Sequence, residues 1–129
     1  MNTERTKMFP LEGKTWKMNK VNALEGSNLL RMFTAAGNSN PQEFLANMPN
    51  DKFKPIQTIL LSEVFLVKTI NEQEISVPVI LPSGQIEVEA NDSGLLFMLT
   101  VISLMFNLSG FFEDNTLKEF QTVVASFNV

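Results

Sequence analysis

The chain has 129 residues, 44% of them apolar and 19% charged, with a formal charge of −4; this suffices for one domain with its own core and is not a disordered composition. It contains no His, no Cys and no Tyr. Their absence removes imidazole and thiolate ligands, disulfide scaffolds and the commonest general base, and points to a protein that works by contact.

Charge is unevenly placed. Residues 1–54 carry eight Lys/Arg against five Asp/Glu, and residues 55–129 carry two against nine, balances of +3 and −7. This reads as unevenly solvated faces, or as an acidic second half that keeps a sticky surface soluble or steers a basic partner. The basic residues are few and interleaved with acids, so nucleic acid is not an expected partner. Met1–Lys7 is polar and no apolar run follows it, so no secretory signal is expected.

Residues 1–12 read as a loose leader. Gly13–Met18 (GKTWKM) alternates weakly, as a strand does. Asn22–Ala36 reads as a first helix, with Leu24, Leu29, Leu30, Met32 and Phe33 supplying its apolar face and Gly37-Asn38 its stop. Asn40, Pro41 and Glu43 form a helix start for a short element, Pro41–Asn47, that ends before Pro49. From Pro55 to about Lys68, Ile56, Ile59, Leu60, Val64 and Val67 fall on one helical stripe.

The period then changes. Ile75, Val77 and Val79 alternate with neighbours, Pro82-Ser83-Gly84 makes a turn, and Ile86 and Val88 alternate again, which predicts a β-hairpin. Pro78 cannot donate to a ladder, so its strand belongs at an edge or a bulge. Asn91-Asp92-Ser93 offers caps for the most telling segment of the chain, Leu95–Leu108 (LLFMLTVISLMFNL). Its polar exceptions, Thr100, Ser103 and Asn107, do not read as one wet face. A helix apolar all round must be covered on every side, by its own domain or by a partner. It is shorter than the roughly 20 residues that cross a bilayer, so a membrane is not expected. Thr116 and Glu119 form a capping box for a last amphipathic helix within 113–129. The expected fold is α+β, predominantly α: a small helical domain, 1–129, with one β-hairpin inserted before a buried apolar helix.

Few residues suggest chemistry. Glu72 with Glu74, and Glu87 with Glu89, sit two apart, which in a strand places each pair on one face. They would serve an acid/base or hard-cation site only if burial or converging ligands tuned them, and otherwise they solvate a hairpin. A small hydrolase using them is the enzymatic alternative. Gly13-Lys14-Thr15 looks like the end of a phosphate loop but lacks the rest of the motif. Asn107-Leu108-Ser109 matches a glycosylation acceptor pattern, which would matter only outside the cell. No catalytic, cofactor-binding or metal residues are assigned. Eleven Phe and seven Met fill a core without hydrogen-bond partners, or form an adaptable contact surface. The placement of Phe111-Phe112 after the apolar helix favours contact, with Met98, Met105, Phe106, Phe111 and Phe112 as the expected protein-binding residues.

The order of these segments resembles the tail assembly chaperones of long-tailed bacteriophages and prophages. The likeness runs over residues 13–112. It is carried by Gly13–Trp16, by Leu29-Leu30-Arg31-Met32, by Phe53–Ser62 (FKPIQTILLS), by the polar hairpin and by the apolar helix ending in Phe106–Phe112 (FNLSGFF). The resemblance implies a non-catalytic protein of the bacterial host cytoplasm. It would bind and solubilise the tape measure protein, promote assembly of the tail-tube protein around it, self-associate in some assemblies, and be absent from the mature virion. The family is often almost wholly helical, and the expected hairpin departs from that. The rival expectation is a permanent structural subunit of a phage tail or neck.

Overall fold

A computed structural model describes residues 5–37 and 40–109. Two strands, β1 (Thr6–Leu11) and β2 (Lys14–Asn19), come first. Three helices follow, α1 (Ala23–Ala35), α2 (Pro41–Ala46) and α3 (Asn50–Leu61). Then come β3 (Val64–Ile70), β4 (Gln73–Pro78), a 3-10 turn at Val88–Ala90, and α4 (Ser93–Leu108). The strands form one antiparallel sheet in the order β1-β2-β3-β4.

The expected predominantly helical domain with a single inserted hairpin is therefore corrected to a mixed α+β fold with a four-stranded sheet. Three misreadings account for it. Part of the supposed leader is β1, whose inward residues Phe9 and Leu11 are too few to announce a strand. The helix read to Lys68 stops at Leu61, and Val64–Ile70 is β3. Val64 and Val67 fit a helical stripe, but Val64 and Leu66 also alternate, and burial follows the alternation. Finally, β4 pairs backward with β3 rather than forward across Pro82-Ser83-Gly84. That turn exists, with the Gly84 N–H donating to the Leu81 carbonyl, but it closes a single bridge, Ile80 to Ile86.

Local chemistry explains the turns and caps. Both hairpins close through two-residue turns in which each residue has positive φ, Glu12-Gly13 at 52° and 73°, and Asn71-Glu72 at 52° and 65°. Such turns match the twist of the flanking strands. Asn22, Asn40 and Asp92 cap α1, α2 and α4, their side-chain oxygens accepting from the N–H of Glu25, Glu43 and Leu95. Gly37 follows α1 at φ 87°, the expected stop. In α3 the helix begins at Asn50 and carries Pro55 inside it, so the Asp51 carbonyl loses its usual i+4 donor.

Each outer strand of the described sheet carries a proline. Val79 N–H donates to the Val64 carbonyl, so by antiparallel alternation the even-numbered residues of β4 point their backbone groups outward. Pro78 occupies such a position. On the other edge, Lys20 N–H donates to the Arg5 carbonyl, which places Pro10 outward as well. Neither proline costs a ladder bond, and Pro78 removes a donor from an edge that could recruit another strand.

Phe9, Leu11, Trp16, Met18, Val64 and Leu66 line the inner face of the sheet and join the buried residues of all four helices in one cluster. Trp16 is fully buried, and its indole N–H donates to the Leu11 carbonyl at 3.0 Å. Phe33 meets Phe44 edge-on at 5.5 Å, joining α1 to α2.

Candidate functional site

The apolar helix is covered by the rest of the chain. Every residue from Leu99 to Leu108 is buried, and α1, α2 and α3 all contact α4. Its three polar residues, spaced i, i+3 and i+7, share one side of the helix. That side is a buried, hydrogen-bonded seam. Thr100 accepts from Gln57 Nε2 at 3.3 Å, and Ser103 donates to the Leu60 carbonyl at 3.3 Å. The Asn107 side chain accepts from the Val21 N–H at 2.9 Å and donates to the Ser103 carbonyl at 2.8 Å. The seam fixes α4 against α3 and against the β2–α1 connection.

Of the expected protein-binding residues, Met105 and Phe106 lie inside this core, and Met98 is half-buried against it. Phe106 also faces Lys20, whose ammonium sits 5.4 Å from the ring centroid. Phe111 and Phe112 lie outside the described residues, as does the expected helix within 113–129. The structure therefore brings Met105 and Phe106 together with the core and not with a surface.

The carboxylates also separate. Glu72 occupies the β3–β4 turn and Glu74 is exposed on β4. Glu87 and Glu89 instead converge on Lys68, whose Nζ lies 3.3 Å from Glu87 Oε1 and 2.9 Å from Glu89 Oε2. Glu87 is buried and Glu89 exposed; Glu87 also accepts from the Glu89 N–H at 2.7 Å, closing the 3-10 turn. Hydrogen bonds to Glu89 and then Glu87 raise the Lys68 pKa, and the bond to Lys68 lowers that of Glu89. Here the carboxylates act as a structural clamp, holding the loop after β4 onto the sheet. No group of three or more metal-type side chains occurs among the described residues.

Other sequence features resolve simply. Gly13-Lys14-Thr15 leads into a strand, so no helix N-terminus is there to receive a phosphate. Asn107-Leu108-Ser109 is buried. Among the described residues no helix is long and apolar enough to cross a membrane.

The apolar surface is small and lies mostly on the sheet and the turn after it. Five large apolar side chains are exposed among the described residues: Met8, Leu24, Ile70, Ile75 and Val88. Met8 belongs to the outer face, in a cross-strand row with Lys17, Phe65 and Pro78, and Lys17 Nζ stands 5.1 Å from the Phe65 centroid. Ile70 and Ile75 share the inner face at its far end, beside Lys68. Sequence reading missed this group because it assigned Lys68 to a helix. The signal was the continuation of the Leu66–Lys68–Ile70 alternation.

Comparison with known proteins returns no relative: no family model, no curated protein and no solved structure matches the chain.

Proposed function

We propose that this chain is a non-catalytic protein-binding domain that serves as a phage tail assembly chaperone, binding the tape measure protein and keeping it soluble while tail-tube subunits assemble. The reading rests on the resemblance over residues 13–112. The structural observation that supports contact as the mode of action is the distribution of exposed apolar side chains. The helices turn nearly all of theirs inward, whereas Met8 on one sheet face, Ile70 and Ile75 on the other, and Val88 in the loop after it are left exposed. Their contact surface replaces α4 as the place where a client is held, since burying Met105 or Phe106 against a client would require opening the core.

The rival reading, a permanent tail or neck subunit, needs strong self-assembly. Outward-facing Pro78 opposes the simplest route to it at the β4 edge, strand-to-strand addition. Co-expression with the tape measure protein of the same phage or prophage tests the proposal. The expected result is transfer of that protein from the pellet to the soluble fraction, co-purifying with this chain. A tape measure protein that stays insoluble, or this chain at high copy in purified virions, would overturn it.

A further inference from the structure

We infer that α1 is a displaceable cover on α4. It leaves its seat as a unit, by local unfolding, and uncovers one side of the apolar helix while the sheet, α2 and α3 stay folded. This goes beyond the chaperone reading and is independent of it.

The hold on α1 is small for its length. Of its thirteen residues Leu29 alone is buried, while Leu30, Met32 and Phe33 pack partly against the core and Leu24 is 85% exposed. Only six residues long, α2 buries Phe44 and Leu45, and α3 buries Ile56, Leu60 and Leu61. At its far end α1 meets α2 through the edge-on contact of Phe33 with Phe44.

Polar bonding separates the helices in the same way. In α1, Asn28 donates to the Met32 sulfur, Arg31 to Asn28 Oδ1 and Thr34 to the Leu30 carbonyl, all within the helix. In α3, Gln57 donates to Thr100 and the Leu60 carbonyl accepts from Ser103, both across to α4. An element held by a narrow apolar stripe opens at a lower free energy than one with more buried surface and buried cross-links.

The ends of α1 are built as joints. Just before it the chain is pinned, with the Val21 N–H donating to Asn107 Oδ1 and the Arg5 guanidinium donating to the Val21 carbonyl at 3.1 Å. Just after it Gly37 stands at φ 87°, where glycine turns without strain. The pin keeps the entry in place when the helix beyond it lets go. Within the helix, Gly26 favours melting, since glycine gives up more chain freedom than alanine on ordering. Close packing does not require that glycine: an added Cβ would meet Val21 Cγ2 at 3.7 Å, an ordinary contact. A lone helix of thirteen residues is marginal in water, so leaving the seat and unfolding are one step.

Native-state amide exchange on the full chain, read residue by residue by NMR at increasing low urea, tests the inference. Amides from Ser27 to Ala35 are expected to share one opening equilibrium, about tenfold or more above that of α3 and α4. Its urea dependence should be the weaker, because less surface is exposed. Leu66→Ala, in the inner face of β3, should speed exchange in α3 and α4 and leave α1 unchanged. Gly26→Ala should slow α1 exchange about fivefold, the helix-interior difference between the two residues. Three results would each overturn the inference: α1 amides matching α3 and α4 in rate and urea dependence, protection graded inward from the end of α1 as in fraying, or Leu66→Ala speeding α1 as much as α3. If Leu66→Ala does not fold, the urea dependence of the unaltered chain decides alone. The measurement involves no client, so its failure leaves the chaperone reading standing, and failure of the co-expression assay leaves this one standing.

Discussion

Replacing Asn107 by Leu tests the seam that locks α4 in place. The two side chains are similar in size, so the change removes polar bonds without opening a large cavity. Two hydrogen bonds are lost. The Ser103 carbonyl is also the i−4 acceptor for the Asn107 backbone N–H within the helix, so losing the Nδ2 bond leaves it paired and costs little. The Val21 N–H is different: Val21 is buried, and Asn107 Oδ1 is its acceptor at 2.9 Å. An orphaned buried donor costs about 1–3 kcal/mol. The added apolar surface of Leu returns about 1 kcal/mol at most. The expected net loss is about 0–2 kcal/mol, the difference of these two. Urea unfolding followed by Trp16 fluorescence reads it directly, because the single tryptophan is buried in the sheet face that α4 helps to seal. Amide exchange at Val21 gives a second, local reading and should accelerate. Unchanged stability together with unchanged Val21 protection would refute the claim that this bond anchors the helix.

Phe106→Ala should cost about 3–5 kcal/mol, as for a buried ring, and should lower the urea midpoint rather than selectively weaken binding. Glu72→Gly should stabilise the fold by about 0.5–1 kcal/mol, because a left-handed conformation burdens an L-residue more than Gly loses in chain entropy; thermal unfolding by circular dichroism checks it. Pro78→Thr should leave the monomer folded but add a third outward donor to the β4 edge, giving concentration-dependent association by light scattering. Lys68→Met should remove a pH dependence. The raised Lys68 pKa means its contribution is complete below the ordinary lysine value, about 10.4, and is lost as pH rises through the folded value. The lowered Glu89 pKa means its contribution is complete above about 4.3 and is lost as pH falls through the folded value. The stability gap between wild type and Lys68→Met is therefore expected to be flat from about pH 5 to 10 and to narrow on both sides, as measured by urea midpoints.

Elements announced by local chemistry were readable from the residues alone. Asn22, Asn40 and Asp92 mark helix starts because a short polar side chain satisfies an N–H that no helical carbonyl reaches. Gly37 marks a stop because it tolerates positive φ, and Pro78 marks an edge because it has no proton to share. The all-round apolarity of Leu95–Leu108 demanded complete cover. None of these depends on a distant residue.

Strand partnership and the covering of α4 do depend on distant residues. Val64–Ile70 satisfies helical and extended periods at once, and only its pairing with both β2 and β4 selects the extended form. The same holds for Met105 and Phe106. Their composition suits a core or a contact surface equally, and the packing of three other helices around α4 placed them inside. Lys68 gained its role last of all, since Glu87 and Glu89 reach it only after the chain has turned back past Gly84. Short-range hydrogen bonding and backbone geometry are written in adjacent residues, whereas burial is a property of what arrives from elsewhere in the chain.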